Sequence, residues 1–425
     1  MQESLLHFVW QYRQFDHTSL ATTKGEPVRI DKPGIYNRVA SGPDFNQARL
    51  YIQDVLWIGH VEIHIRASDW NAHMHQHDPA YNNVILHVVW ENDRTIYRQD
   101  GTELPVLELK DRLDPVLISR YDGLMQERSP ILCQHQWGGV RALTKFIMMD
   151  RALTQRLERK SLAIRQMLRA NNGSWEETAY QWLGMHFGFK LNNESFLALT
   201  QSLPLRVLAK KSHDVRQIEA MLFGLANLLE EDPCDTYSAH LKREFGVLKA
   251  TFDLTEKVLP AHIWKFSGAR PANFPTIRLA QFARLISLER NLFSMVMDAS
   301  GPAGLMEKFR IAPSEYWQQH YNFGKAMKGK NTMGKLATEG LVINVAIPLM
   351  AAVGFEKDDQ ALIDKALDWL QQIPAERNRI LNTWKSAGAS VQNAFDSQAM
   401  IELHNEFCTE KKCLSCQVGA EIMKV

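Results

Sequence analysis

The pattern of hydrophobic and polar positions changes near residue 135 of the chain. Before that point, apolar residues come in short alternating or continuous runs, which are typical of β-strands. After it, they recur at spacings of three and four, which are typical of amphipathic helices, almost to the C-terminus. The chain is therefore predicted to be an α+β protein, in which a small mixed sheet domain is followed by a large all-helical domain.

Within the first part, the predicted elements are a helix, an antiparallel hairpin, a short helix and a buried strand, in that order. In the second strand of the hairpin, Val61, Ile63 and Ile65 share one face, and Glu62 and His64 share the other. The segment VILHVVW is almost continuously apolar, as a strand buried on both faces would be. The predicted bounds are a helix at 3–15, strands at 48–53 and 61–66, a loop with a short helix at 69–83, and strands at 84–90, 95–98 and 105–109.

The second part contains no clean repeat period, so the helices are not predicted to form a solenoid. Three segments are expected to behave as domains or modules: residues 1–135, residues 136–400 and residues 401–425. The predicted helices span about 141–170, 175–187, 193–201, 213–230, 237–254, 276–297, 303–309, 313–319, 331–353, 358–371, 375–387 and 392–408.

The composition is that of an ordinary globular protein, with 45% hydrophobic and 23% charged residues and a net charge of +1. A basic coat for nucleic acid is therefore absent, although local basic patches remain compatible with this charge. The longest apolar stretch, residues 341–355, is broken by Asn344, Pro348 and Gly354 and is shorter than the ~20 residues that span a bilayer. With five cysteines that do not resemble a disulfide framework, we predict a cytoplasmic protein without a membrane partner.

The N-terminal part contains a dense group of acids and histidines. Alternation places Glu62 and His64 on one strand face, about 7 Å apart along the strand. Asp44 precedes the first strand of the hairpin, so folding of the hairpin would bring it to Glu62. Paired carboxylates beside an imidazole can bind Mg²⁺ or Mn²⁺ and activate a water molecule, and the histidine favours manganese or zinc. Further candidate residues for this site are His73, His75, His77, Asp78 and His87.

These motifs resemble a known superfamily of enzymes. Pro43-Asp44, then a hairpin, then Glu62-Ile63-His64 resembles the signature of the PD-(D/E)XK nucleases, with His64 at the position of the usual lysine. The following region is similar to the corresponding part of very-short-patch repair endonucleases, and the likeness covers about the first 110 residues. It rests on Asp69-Trp70, His73, His75, Asp78, Tyr81 and the apolar strand with His87.

The resemblance implies a nuclease-like fold for residues 1–135 and a role for each motif residue. Asp44 and Glu62 would bind the metal ion, and His64 would position or deprotonate the attacking water. A neutral imidazole suits that role because its ordinary pKa is about 6.5. The residues alone leave simpler interpretations open: Asp44 as a turn residue, Glu62 and His64 as a solvated strand face, and His87 as a hydrogen-bonded core histidine.

A second resemblance extends over nearly the whole chain. The chain is similar to a bacterial family of proteins of unknown function, which implies no activity. The segments that carry this likeness are SGPDF, GHVEIHIRASDWNAHMHQHD, VILHVVW, RPANFPTIRLAQFA and the cysteines near the C-terminus.

The spacing of a histidine and three cysteines near the C-terminus predicts a second metal site. His404 and Cys408 lie four residues apart, which places them on one face of a helix. Cys413 and Cys416 have the spacing of a metal-binding knuckle. One imidazole and three thiolates favour a structural zinc ion. An iron–sulfur cluster, which would need a fourth thiolate such as Cys133 or Cys234, is the alternative, as are reduced cysteines without a metal.

Clusters of basic residues in the helical part are candidate contacts for a phosphate backbone, although charge runs on helices are usually solvated faces. The predicted activity is metal-dependent hydrolysis of phosphodiester bonds in DNA or RNA. The alternatives are a non-catalytic nucleic-acid or protein interaction factor with a nuclease-like fold and a metallohydrolase with a small substrate. The oligomeric state is not predicted. The basic candidates are Arg151, Arg159, Lys210, Lys211, Lys328 and Lys330.

Overall fold

The computed structural model describes residues 1–37, 41–329 and 331–424, in two compact units. The first unit comprises Met1–Arg151, Asn378–Ser390 and Met400–Val425, and the second comprises Ala152–Arg377 and Val391–Ala399. The first unit thus contains the predicted sheet domain together with most of the C-terminal segment that was expected to form a module of its own. The α+β class predicted from the sequence is confirmed.

A mixed sheet forms the centre of the first unit. Its strand order is β1-β3-β4-β5-β6, and β2 pairs with β3. The pairs β1–β3, β2–β3 and β3–β4 are antiparallel, whereas β4–β5 and β5–β6 are parallel. The strands are β1 (Val28–Lys32), β2 (Ile35–Tyr36), β3 (Phe45–Ile52), β4 (Val55–Arg66), β5 (Val84–Glu91) and β6 (Val106–Glu108).

The predicted hairpin is β3–β4, and the predicted buried strand is β5. The alternation of β4 explains the packing, because Val61 and Ile63 are buried in the apolar cluster that also holds Leu5 and Val9 of the first helix. Residues 95–98, which were predicted as a weak strand, contribute only an isolated bridge between Tyr97 and Glu103. The strands β1 and β2 were not predicted, because they are short and are separated by Pro33 and Gly34, which are typical of loops.

Helices account for most of the remaining chain. The predicted helix at 276–297 is two helices, separated by the polar residues 289–291, and a π-helical turn at Val342–Ala346 interrupts the predicted helix at 331–353. The helices are α1 (Glu3–Tyr12), α2 (Asp69–Ala72), α3 (Pro115–Gln126), α4 (Ala142–Ala170), α5 (Trp175–Phe187), α6 (Phe189–Ser202), α7 (Leu205–Ala209), α8 (Val215–Leu225), α9 (Thr236–Thr251), α10 (Pro275–Leu288), α11 (Leu292–Met297), α12 (Pro302–Phe309), α13 (Glu315–Gln319), α14 (Lys335–Leu341), α15 (Ile347–Lys357), α16 (Gln360–Gln372), α17 (Arg379–Ser386), α18 (Ala394–Leu403) and α19 (Gln417–Lys424).

Among its described residues, the second unit has strands only in one small hairpin, β7 (His320–Asn322) and β8 (Lys325–Ala326), which the all-helical prediction lacked. One helical stretch, Lys335–Lys357, is long and apolar enough to cross a membrane by length and composition alone. However, 78% of its most apolar window is buried inside the protein, as in the core helix of a globular domain.

A glycine in β4 permits the close approach of the strand to the segment before β5. A Cβ atom at Gly59 would lie 2.5 Å from both the Asn83 carbonyl oxygen and Ile85 Cγ2. We therefore expect Gly59→Ala to lower the free energy of unfolding of the first unit by at least about 2 kcal/mol, measured by chemical denaturation. Gly123→Ala is the matched control, because Gly123 lies inside α3 with no atom within 4 Å of the added Cβ.

The control variant should gain about 0.5–1 kcal/mol, since alanine is the better helix former. Equal effects of the two substitutions would contradict the close approach of the strands.

Candidate metal centre

The sheet register places three ionisable side chains on one face. In the parallel pair β4–β5, Glu62 lies opposite His87 and His64 lies opposite Val89. Alternation points Glu62 and His64 away from the apolar cluster that buries Val61 and Ile63. All three ionisable side chains are buried, with exposures of 5% for Glu62, 2% for His64 and 0% for His87.

Asp44, immediately before β3, is tied to Glu62 by two reciprocal hydrogen bonds. The backbone N–H of Asp44 donates to Glu62 Oε2 at 3.0 Å, and the backbone N–H of Ile63 donates to Asp44 Oδ2 at 2.9 Å. In addition, His7 Nε2 of α1 lies 3.1 Å from Asp44 Oδ2. The hairpin therefore brings the two predicted carboxylate residues together, and Asp44 Oδ2 is shared between an amide and an imidazole.

The segment after β4 brings two more histidines to this face. Asp69 Oδ2 accepts the backbone N–H of Arg66, and the Trp70 indole donates to the Tyr97 carbonyl oxygen. These bonds hold α2 and the following 3₁₀ turn of His75–His77 over the strand. As a result, His73 Nδ1 lies 3.0 Å from His64 Nε2.

Three ring nitrogens lie close together at this point, and a carboxylate oxygen lies beside two of them. One ring nitrogen from each of His64, His73 and His75 lies within 4.8 Å of the others. Glu62 Oε1 lies 3.6 Å from His64 Nε2 and 3.3 Å from His75 Nε2. The buried Nε2 atom of His75 has no hydrogen bond to any described residue, although its ring stacks on Tyr81 with centroids 3.8 Å apart. A buried nitrogen whose nearest polar partner is a carboxylate oxygen, beside two further imidazoles, fits the ligand set of a metal ion.

Burial and neighbouring charges control the protonation of these groups. Burial, reinforced by His75 and His73, lowers the pKa of His64 to about 3. Burial likewise places the pKa of His87 well below its ordinary value, and burial raises the pKa of Glu62 despite the opposing effect of His75. For His7, the hydrogen bond and charge of Asp44 outweigh burial and raise the pKa. The imidazoles of His64 and His87 are therefore neutral, and the neutral form is the one that binds metals.

His87 orients His64 rather than joining the donor set. His87 Nε2 lies 2.8 Å from His64 Nδ1, so one hydrogen bond joins the two rings. When His64 Nδ1–H donates this bond, the lone pair on His64 Nε2 faces His73 and Glu62. This is the usual way in which a metal-binding histidine is fixed by a second group.

Two predicted residues of this group lie outside the cluster. His77 is exposed, and Asp78 Oδ1 accepts the backbone N–H of Ala80, which caps the next short turn. His7 is the functional candidate that the sequence did not suggest, since it lies in an apolar helix distant in sequence from Asp44. The signal that marks it is one imidazole among apolar α1 residues, and such a signal is usually uninformative.

The groups around Glu62 bear on which metal ion this site would hold. Asp44 and Glu62 were expected to bind Mg²⁺ or Mn²⁺ through oxygen atoms. The structure places the imidazoles of His64 and His75 beside the Glu62 carboxylate, and the ring of His73 next to that of His64. Nitrogen donors of this kind suit Mn²⁺, Zn²⁺ or Fe²⁺ better than Mg²⁺. The identity of the metal stays a prediction.

A second group of potential ligands consists of four cysteines in the first unit. Cys133, Cys408, Cys413 and Cys416 line one small cavity, together with Trp137 and Trp384, whose rings are in contact. Burial and the neighbouring thiols raise the pKa of Cys133 to about 12, and burial with Cys416 does the same for Cys413.

His404 was predicted as the fourth ligand of this site, but it does not line the cavity. Its Nδ1 atom lies 3.2 Å from Asn405 Oδ1, and a π-helical turn spans His404–Cys408. The arrangement of His404 and Cys408 on one face, which was predicted for an α-helix from their i, i+4 spacing, is therefore altered. Cys133, one of the two candidates for a fourth thiolate, lines the cavity, whereas Cys234, the other candidate, is exposed and belongs to the second unit.

The basic candidates are distributed over both units. Arg151 of the first unit donates to the Ser415 carbonyl oxygen and lies over the Phe407 ring. In the second unit, Lys210 Nζ lies 5.7 Å from the Phe252 ring centroid. Lys330 lies outside the residues that the structure describes. The remaining candidates, all in the second unit, are Arg159, Lys211 and Lys328.

Comparison with known proteins places these features in a family. A family model described as "Protein of unknown function (DUF2851)" matches residues 3–379, which include the whole sheet, the histidine cluster and most of the helices. No curated protein and no solved structure matches the chain. The predicted membership of a family of unknown function is confirmed, and the likeness to nucleases stays a prediction.

Proposed function

We propose that this chain, which belongs to the family of proteins of unknown function matched over residues 3–379, is a metal-dependent nuclease. The observation that carries the proposal is the group of ring nitrogens from His64, His73 and His75, with the Glu62 carboxylate beside two of them. Asp44 is tied to the same strand at the positions that the nuclease-like motif requires. Phosphodiester hydrolysis is the chemistry that this motif implies.

The residues that would hold a divalent cation are His64, His73, His75 and Glu62. Such an ion would supply Lewis-acid activation of a water molecule and of a phosphoryl oxygen. The sequence-based role of His64 as the base is not retained, because burial lowers its pKa to about 3 and makes it a weak proton acceptor near neutral pH.

Three neighbouring residues hold the proposed metal ligands in place or add a positive charge beside them. His87 fixes the ring of His64, and Asp44 fixes the backbone of β4 through Ile63. His7 lies next to Asp44 with a raised pKa, so it is protonated more readily than a free imidazole. A protonated His7 at the edge of the site would attract a phosphate group.

A cleavage assay tests the proposal directly. Metal-free protein should hydrolyse labelled single-stranded or double-stranded DNA or RNA after addition of Mn²⁺, Zn²⁺, Fe²⁺ or Mg²⁺, and EDTA should stop the reaction. Binding of nucleic acid without cleavage under every metal would instead support an interaction factor. Hydrolysis of a small phosphodiester alone would support a metallohydrolase with a small substrate.

We also propose that the four cysteines hold an iron–sulfur cluster, in preference to the zinc ion first suggested by the spacing. Four thiolates and no imidazole are the usual ligands of such a cluster. Around a single zinc ion with bonds of about 2.3 Å, the sulfur atoms would lie about 3.8 Å apart. Among the residues that the structure describes, only the histidine group has three donors within 4.8 Å of one another. This wider spacing of the sulfur atoms supports a cluster in preference to one ion.

The proposed location is the cytoplasm. All five cysteines are free, and a reducing compartment keeps thiols available for a metal cluster.

A further inference from the structure

A large cleft of the second unit contains a group of residues that the metal centre does not use. It encloses about 800 Å³ and is formed by three segments of the chain. These segments are the start of α6, the loop before α10 with the first turns of that helix, and the residues that lead into α14. The motif RPANFPTIRLAQFA supplies the middle segment, which includes Arg270, Asn273, Arg278 and Gln281.

The charge of the lining is entirely positive. Lys190, Arg270, Arg278 and Lys335 line the cleft, and no aspartate or glutamate does so among the described residues. A concave site with one sign of charge attracts ligands of the opposite sign. The ligand is therefore expected to be an anion.

Arg278 is the decisive residue, because its side chain is only 6% exposed and has no acidic partner in the part of the chain that is described. Its Nη1 donates to Gln281 Oε1 at 2.8 Å, and its Nη2 donates to Asn273 Oδ1. Its guanidinium lies 4.3 Å from the ring centroid of Phe189. The buried Nε–H has no acceptor. A buried, uncompensated cation is costly, and an anion bound in the cleft would remove this cost.

The remaining lining indicates what else the anion carries. Phe189 and Met333 give the cleft apolar surfaces, and Asn331 Oδ1 is buried without a hydrogen-bond donor among the described residues. Phe189 has a left-handed backbone, with φ of 49°, and this conformation is unusual for a bulky residue. A flat organic group that carries N–H donors would cover Phe189 and satisfy Asn331.

We propose that this cleft binds a nucleoside monophosphate unit, with its phosphate at Arg278 and its base against Phe189. Several cations favour a doubly charged phosphate monoester over a singly charged carboxylate. The unit is either a free mononucleotide or the phosphorylated end of a nucleic acid chain, since both present the same chemistry. The proposal does not depend on cleavage at the metal centre.

Calorimetric titration of the full-length protein in EDTA tests the cleft without any metal-dependent reaction. The probes are AMP, adenosine, inorganic phosphate, and a dinucleotide with and without a 5′-phosphate. AMP should bind at least 10-fold more tightly than adenosine, because adenosine lacks the charge-assisted hydrogen bonds. Equally tight binding of the 5′-phosphorylated dinucleotide identifies a chain end as the ligand, and preference for AMP identifies a free nucleotide.

Variants show whether the binding occurs in this cleft. Lys190 and Arg270 are exposed, so the double variant Lys190→Ala/Arg270→Ala should fold normally and bind AMP about 10-fold more weakly. Arg278→Gln should lose binding more completely, with its fold checked by circular dichroism. Lys257→Ala, an exposed lysine of the same unit outside the cleft, should bind as the wild type does.

Absence of saturable AMP binding, equal affinities for AMP and adenosine, or an unaltered affinity of the double variant would overturn the proposal.

Discussion

Replacing Glu62 by glutamine should lower the rate of metal-dependent phosphodiester cleavage by about 100-fold or more. Glu62 Oε1 is the carboxylate oxygen nearest to the imidazoles of His64 and His75, and an amide oxygen is a weaker donor without a negative charge. Since burial raises the pKa of Glu62, the neutral amide also resembles the protonated acid and should leave the fold intact. The measurement is the cleavage rate at saturating Mn²⁺, together with the bound manganese per chain.

A matched control for this substitution is Glu91→Gln. Glu91 ends the neighbouring strand β5 and pairs with Lys110 at the surface, where a salt bridge contributes little to stability. The control should keep the wild-type rate and metal content. If Glu62→Gln cleaved as fast as the control, Glu62 would not belong to the reactive centre, and the proposed function would fail at its main residue.

Replacing Cys133 by serine should remove most of the iron and lower the unfolding temperature of the first unit by about 10 °C or more. The reason is that the binding free energy of a structural metal centre contributes directly to folding. Cys133 precedes α4, whereas the other three cysteines lie more than 270 residues later, so the centre would join distant parts of one unit. The measurements are iron and acid-labile sulfide content, visible absorption that bleaches on reduction, and calorimetry.

Cys234→Ser provides the control for the cysteine experiment, because Cys234 is exposed and lies in the second unit. It should change neither the iron content nor the unfolding of the first unit. If metal analysis found one zinc ion per chain and no acid-labile sulfide, the site would be a mononuclear zinc site and not an iron–sulfur cluster. A metal-free protein with the wild-type unfolding temperature would end both versions of this proposal.

The elements with strong periodic patterns were predictable, and their order gave the fold class. The alternation of Val61, Glu62, Ile63 and His64 correctly defined the two faces of β4, because one face packs into an apolar core and the period of a strand is two. Short elements were missed, since the two residues of β2 are too few to show an alternating pattern and are held by pairing with β3.

The candidate site was predictable only where its residues are close in sequence or belong to one motif. Glu62, His64, His73 and His75 lie within 14 residues, and the local turn chemistry of Asp69 brings them together. His7 depends on the packing of α1 near the start of β3, which no local pattern reveals. The same reason applies to Cys133, whose place beside Cys408 is determined by the tertiary fold alone.

The cleft of the second unit was not predictable in chemical terms. The motif RPANFPTIRLAQFA is visible in the sequence. The chemistry of the cleft, however, depends on the burial of Arg278 and on Asn331, which lies 50 residues beyond Gln281. A buried guanidinium without a counter-ion is a property of three-dimensional packing. From sequence, the same arginine resembles any other residue of an amphipathic helix.

The most direct test of the central claim is a crystal of the metal-free protein soaked in Mn²⁺ and measured for anomalous scattering. We predict one strong peak with bonds of about 2.0–2.2 Å to the donor atoms of His64, His73, His75 and Glu62, as for imidazole and carboxylate ligands of such ions. A map without a peak among these four residues, or with manganese bound only elsewhere in the chain, would contradict the account.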